Sequence, residues 1–525
     1  MRKTVKKLTA VGLTVTSVLG LVACGSSKGT TSQGTSENKE VTKPDTFTVM
    51  CDGTVVTETN GAEAFYKQLN EATGLDIKWT RPDHASYYDA VANAFNSDDT
   101  MPDVVLLSSD YYALYASNGF LWNMTDAWEH SETKNSGRLI STADNVLSAL
   151  MVNGEDGTKA MYGLSLYRGN GCCTYVKKAW LDKAGIDASK VKDVQMDFNT
   201  YYGYLKQMAQ TMGHYVISSP GFIHPEAPNT NYLPEFYQKA QYTFYKDTSG
   251  KYVDGFAQQE MKEALQRIQT AVNDGVIDKE SVNNSTGNAR DKFYSTDPST
   301  ETGVFTYWAG TWANTLKTNL ANKGLDDELI AIKPIKELGA YTERIAPCWC
   351  ITSAAKNPEG IFKYFIDKML DGGDVQMLWT HGAKGTHWDD KAETVTVEKK
   401  EDQPKTYTEG QFHYLPGIEK PDQWQTKNHI DPILSIANFT NGYVGESLIP
   451  EVARENGEFF AENSQVAVPL PMTSELSNNI GDINTARTYV IAQVALGYMT
   501  VDEGMDYYNK TVGSLSNAVL KSLNK

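Results

Sequence analysis

The stretch from Thr46 to Leu107 constrains the fold more than any other part of the chain. TFTVM reads as a strand, residues 62–72 as a helix with Phe65, Leu69 and Ala72 on one face, and Gly74 as its stop. LDIKW follows as an alternating strand, YYDAVANAF as a second helix, and VVLL, after Pro102, as a strand apolar at every position. Strand–helix–strand–helix–strand order implies a mainly parallel sheet covered by helices. A parallel pair needs a crossover between its members and is buried on both faces.

The same grammar resumes further on. Residues 171–176 precede a helix at AWLDKAG, and a helix over 200–212 has Asn199 as its expected N-cap. FYKDTSGKYVDG reads as a hairpin around a Ser-Gly turn. Met261, Leu265, Ile268 and Val272 form a helical stripe that Gly275 ends. VFTYW and RIAPCWCITSAA are further strands, Asn357-Pro358 opens a helix as N-cap and first helical residue, and the tail from 484 to 523 is helical. At 525 residues the chain exceeds what one ordinary core organises. Acidic residues outnumber basic ones 65 to 48, and no basic block follows residue 7, so nucleic-acid binding has no electrostatic footprint.

The first 24 residues carry a separate signal. MRKTVKK is basic, 8–22 is an apolar run too short and too interrupted for a comfortable membrane span, and it ends in Leu21-Val22-Ala23-Cys24 before Gly25. This resembles a bacterial lipobox, which implies a signal peptide over 1–23 and a diacylglyceryl group on the Cys24 thiol. Residues 25–45 are small, polar and aperiodic, the composition of a flexible tether spanning roughly 25 Å as a coil. Five cysteines remain, Cys51, Cys172, Cys173, Cys348 and Cys350, without a Cys-x-x-Cys pair. They read as buried free thiols, not as a disulfide scaffold or a zinc site.

The lipobox, the tether and SDDTMPDVVLL…NGFLWNMTDAW together resemble the extracellular solute-binding lipoproteins of carbohydrate ABC importers (solute-binding family 1, larger lipoprotein branch). YTFYKDTSGKYVDG with MKEALQRIQTAVNDGVIDKE, then LWTHGAKGTHWD, then PMTSELSNNIGDINTARTYVIAQVALGYMTVDE continue the likeness in order. The resemblance implies a two-lobed periplasmic-binding-protein-like α/β fold of type II. Each lobe is then a mainly parallel sheet flanked by helices, with a hinge between the lobes and ligand held there. The expected division places 46–167 and 303–371 in lobe 1, and 168–302 and 372–525 in lobe 2, with crossings near 166–168, 302–305 and 371–374. Some large relatives carry a calcium loop after the helix equivalent to 200–212. QTMGHYVISSPGF lacks the run of oxygen ligands calcium needs, so no metal and no cofactor are expected.

In open parallel sheets ligands lie beyond the carboxyl ends of the strands. Asp110 and Tyr111 follow VVLL there, and Asp52 follows TFTVM. A carboxylate accepts strong hydrogen bonds from sugar hydroxyls, and an aromatic ring covers a sugar's C–H face. The alternative for Asp110 is a helix cap, and for Arg168, at the first crossing, an interlobe salt bridge. Trp308, Trp349 and Trp388 are candidate platforms whose alternative is core packing. His381, His387 and Asp389 suggest a metal site only loosely and read better as a solvated loop. Hydrolase, zinc-protease and phosphate-loop motifs are absent from the sequence.

The expectation is a monomeric, non-enzymatic receptor lipid-anchored on the outer face of the bacterial cell membrane. It would capture a saccharide, an oligosaccharide above all, and pass it to ABC permease transmembrane subunits. A lipid-anchored glycosidase, or a receptor for peptides or other solutes on the same fold, stays open.

Overall fold

The computed structural model describes residues 41–53, 61–83, 86–137, 147–148, 150–165, 169–223, 230–325, 327–345, 347–395, 405–415, 451–468, 470–471 and 473–525, apart from the side chains of Ser109, Asp110, Val395, Lys405 and Tyr414. Cys24, the signal peptide, most of the tether and Arg168 lie outside them.

The opening pattern folds as its periodicity requires. β1 (Thr46–Met50), α1 (Ala62–Thr73), β2 (Asp76–Thr80), α2 (Tyr87–Ala94) and β3 (Val104–Leu107) follow in order, and α3 (Ser109–Ser117) leaves β3 at once. β1 pairs in parallel with both β2 and β3. Phe65 and Leu69 of α1 are fully buried, and Gly74 ends the helix with φ 62°, a left-handed conformation that favours glycine. All four residues of β3 are buried, which explains the absence of polar alternation in VVLL.

The second sheet is built from β4 (Cys172–Lys177), β5 (Val304–Trp308) and β6 (Leu329–Ala331), with β4 central. Both pairings are antiparallel, unlike the expected mainly parallel sheet. Its parallel component, among the described residues, is a set of bridges from Ile217 to Val304 and Ile277. β7 (Cys348–Ile351) then returns to the first sheet and pairs antiparallel with β3, giving the order β7-β3-β1-β2.

These pairings redraw the expected division. β5 lies against β4, so 303–344 does not belong with the first sheet, and the second crossing falls at 344–348 instead of 302–305. Met369, Leu370, Val375 and Leu378 all pack in the first core, so no crossing occurs at 371–374. Leu164 bridges Trp349 in the first sheet, and Gly171 accepts the Ala309 N–H beside the second, so the chain passes from one sheet to the other within 164–171. A Cβ on Gly171 would sit 2.1 Å from the Thr342 carbonyl oxygen, so the two crossing segments run in close contact there.

The second core is closed by helices. α4 (Phe198–Met212) is capped by Asp197, which accepts the Thr200 N–H, and not by Asn199. α5 (Gln259–Asn273) buries Met261, Leu265 and Ile268, as the stripe implies. α6 (Thr286–Phe293) starts at a capping box on Ser285 and Asn288. The helical tail is a pair, α7 (Ser474–Ala495) and α8 (Val501–Leu523), with Thr500 as the second cap.

One buried ion pair ties this tail to the hairpin of Phe244–Lys246 and Tyr252–Asp254. Asp254 Oδ1 accepts from Arg487 Nη2 at 2.8 Å, and its Oδ2 accepts from the Tyr508 and Ser516 hydroxyls at 2.7 and 2.6 Å. The Arg487 guanidinium lies 5.0–5.9 Å from the ring centroids of Tyr242, Phe244, Phe256 and Tyr508. No described helix is long and apolar enough to cross a membrane.

Candidate functional site

The carboxyl ends of β1 and β3 bring three sequence-level elements together. Asp52 follows β1 and is 9% exposed. Tyr87, at the start of α2, ties the two strands: its hydroxyl donates to the Leu106 carbonyl at 2.7 Å and lies 3.2 Å from that of Met50. Its neighbour Tyr88 accepts the Ser108 N–H at 2.9 Å and stacks on Tyr111, with centroids 3.8 Å apart and planes 5° from parallel. Burial pushes the Tyr88 phenol up, with Tyr111 and the Asp52 carboxylate adding to it. One carboxylate and two stacked, half-buried rings therefore share a strand end, with a hydrogen-bond acceptor beside apolar faces.

Asp110 occupies the first turn of α3, and its side chain lies outside the described residues. The N-cap position is Ser108, in extended conformation and without a side-chain cap hydrogen bond, so Asp110 lies two residues past the capping position considered for it. Tyr112 turns the other way into the core, where it accepts the Tyr162 N–H.

On the second sheet Trp308 ends β5 and is half-buried. Arg344 lies over its ring at 4.5 Å, and the Arg344 N–H donates to the Asn170 carbonyl at 3.0 Å. Arg344 is four residues before Cys348, the strand partner of Leu107. At most about 14 Å of chain therefore separates the Trp308 group from the end of β3. The carboxyl ends of β3 and β5 meet one connecting segment.

The other tryptophans are structural. Trp349 is 1% exposed and packs edge-on against Phe365 and Trp379, which removes it as a platform. The Trp388 indole N–H donates to the Gly382 carbonyl and its ring lies on Phe412, so it closes its own glycine-rich loop and is buried, not near the surface. That loop is not solvated either: His381, His387 and Asp389 are all buried, and His387 Nδ1 accepts the Ala383 N–H. Among the described residues no three metal-ligating side chains cluster. All five cysteines beyond Cys24 are free and buried, as their spacing implies, and burial pushes the Cys51 thiol up to about 12.

Tyr88, Asn170 and Arg344 were not singled out from sequence. Tyr88 had a signal, since Tyr87-Tyr88 repeats the doublet Tyr111-Tyr112 at the neighbouring strand end. Arg344 had none, because only the pairing of distant strands brings it to Trp308.

Two α/β cores joined by adjacent crossing segments match the periplasmic-binding-protein-like fold. No protein-family model matches the chain, and no curated protein matches it. Solved structures do. An HMO-binding, ABC-transporter-associated solute-binding protein of Bifidobacterium longum infantis superposes with a TM-score of 0.60 at 14% identity, over 91% of this chain and 98% of that one. The N-glycan transport solute-binding protein of Streptococcus pneumoniae gives 0.57 at 17% identity, over 91% and 98%. The alginate-binding protein AlgQ2 gives 0.55 at 16%, over 93% and 99%. At these identities the likeness is one of fold.

Proposed function

We propose that this chain is the substrate-binding component of an ABC importer and captures a saccharide between its two cores. The observation that carries the reading is the convergence of Asp52 with the Tyr88–Tyr111 stack at the carboxyl ends of β1 and β3. It supplies a strong acceptor for hydroxyls beside a face for C–H groups. Structural neighbours named for HMO binding and N-glycan transport support the same ligand class. Ligand contacts to both cores would favour a closed state through interactions the open state lacks. Transport energy would come from the partner ATPase. The lipobox-like sequence at Cys24 supports a lipid anchor on the outer membrane face, and replacing Cys24 by Ala should release the chain from the membrane fraction.

Calorimetry against a panel of oligosaccharides and peptides tests the ligand class. Binding of peptides with no response to any glycan would overturn it, and turnover of a glycan would replace the receptor with a glycosidase.

A further inference from the structure

The carboxyl end of β5 carries an arrangement that capture of a neutral sugar does not require. The Arg344 guanidinium lies over the Trp308 ring at 4.5 Å, and among the described residues it has no carboxylate partner. The nearest acid in sequence, Glu343, is buried and accepts from the Ser464 hydroxyl. Arg290 of α6 is alike: it lies 5.6 Å from the Tyr307 ring and 5.1 Å from that of Trp312, again with no carboxylate. Tyr307 and Trp308 are consecutive in a strand, so the two arginines flank its end on opposite faces.

Three other arginines in the described chain are spent. Arg487 pairs with Asp254, Arg454 with Glu458, and Arg267 with the Phe236 carbonyl. A formal charge of −17 gives every cation an excess of potential partners, yet this strand end leaves two positive charges uncompensated. Stacking on an indole holds a guanidinium flat without using its N–H donors, and leaves the in-plane fork open to a planar oxyanion.

We infer that Arg344, held by Trp308, reads an oxyanion on the bound saccharide, a carboxylate or a sulfate on a sugar ring, so that the ligand is an acidic oligosaccharide. This rests on the proposed function. Arg290 adds to the positive field from the far face of the strand. Asp52, at the other strand end, repels the same anion and accepts from neutral hydroxyls. The two groups therefore give the ligand a direction, with its acidic unit toward the second core.

The test is calorimetry of the full chain with oligosaccharides of matched length in neutral, uronate-bearing and sulfated forms, at low and high salt. The expected result is an acidic form bound about tenfold or more tighter than the neutral one, with the advantage shrinking in salt. Uronate against sulfate separates the two oxyanions. In Arg344→Gln the acidic-to-neutral ratio should fall toward one, and Arg344→Lys should restore part of it; circular dichroism checks that both fold. Equal binding of neutral and acidic forms, or a ratio unmoved in folded Arg344→Gln, overturns the inference and leaves the saccharide reading standing. No binding of any saccharide overturns both.

Discussion

Truncating Asp254 to Ala strands the Arg487 guanidinium, which is 0% exposed, among four aromatic rings with Asn484 Oδ1 at 3.2 Å as its remaining side-chain acceptor. It also strips the Tyr508 and Ser516 hydroxyls of their partner. Removing one member of a buried ion pair costs about 3–5 kcal/mol, and the extra orphaned hydroxyls put Asp254→Ala near the top of that range. Arg487→Met is milder, at about 3 kcal/mol. The carboxylate it leaves keeps both hydroxyls and the Phe256 N–H at 3.1 Å, and Met fills part of the space between the rings. The double variant removes both charges, so its loss should be about 4 kcal/mol, well short of the sum of the singles. Urea unfolding followed by far-ultraviolet circular dichroism and tryptophan fluorescence measures all three. An Arg487→Met loss within about 1 kcal/mol of zero, or strict additivity in the double variant, would refute the reasoning, because either shows that the charges do not depend on each other.

Glu235, fully buried, accepts from the Thr174 hydroxyl at 2.7 Å and faces the Tyr341 hydroxyl at 3.3 Å; burial raises its pKa to about 7 against the opposing pull of these bonds. The folded state therefore holds this proton more tightly than the unfolded chain. The stability it contributes is complete below about pH 4.5 and is lost as pH rises through 7, on the order of 3 kcal/mol in all. Glu235→Gln should flatten the fall in melting temperature between pH 5 and 8, and an unchanged profile would remove Glu235 as its source. Gly171→Ala should impair folding, since its Cβ would meet the Thr342 carbonyl oxygen at 2.1 Å and the Phe460 ring at 2.7 Å. A variant with wild-type melting temperature would show that the crossing segments are not packed this closely.

Local signals carried the elements and lost the connections between them. VVLL, the Met261–Leu265–Ile268 stripe and Gly74 were readable because burial on two faces, on one face, and a left-handed stop each leave their mark within a few residues. The partner of VFTYW was not readable. Its register with CCTYVK joins segments far apart in sequence, and either sheet would accept a strand buried at four consecutive positions. That single ambiguity misplaced the second crossing. It also hid Arg344, whose neighbourhood exists only once β5 lies beside β4. The tryptophans failed for a related reason: Trp308 and Trp349 both sit in apolar strands, and only the rings packed around Trp349 separate core from platform. At the helix start before α4, Asp197 and Asn199 were both chemically suitable caps, and the two-residue earlier start chose between them.

The β3–β7 pairing has a bearing on synthesis. Leu107 must wait for Cys348 before its sheet acquires its last strand, and all three strands of the second sheet are translated in between. A chain halted anywhere in that interval exposes the flank of VVLL, an unprotected apolar edge able to recruit a like strand from another nascent copy. The order of the gene thus favours a chaperone-held chain until synthesis passes Cys348 over piecemeal maturation behind the ribosome.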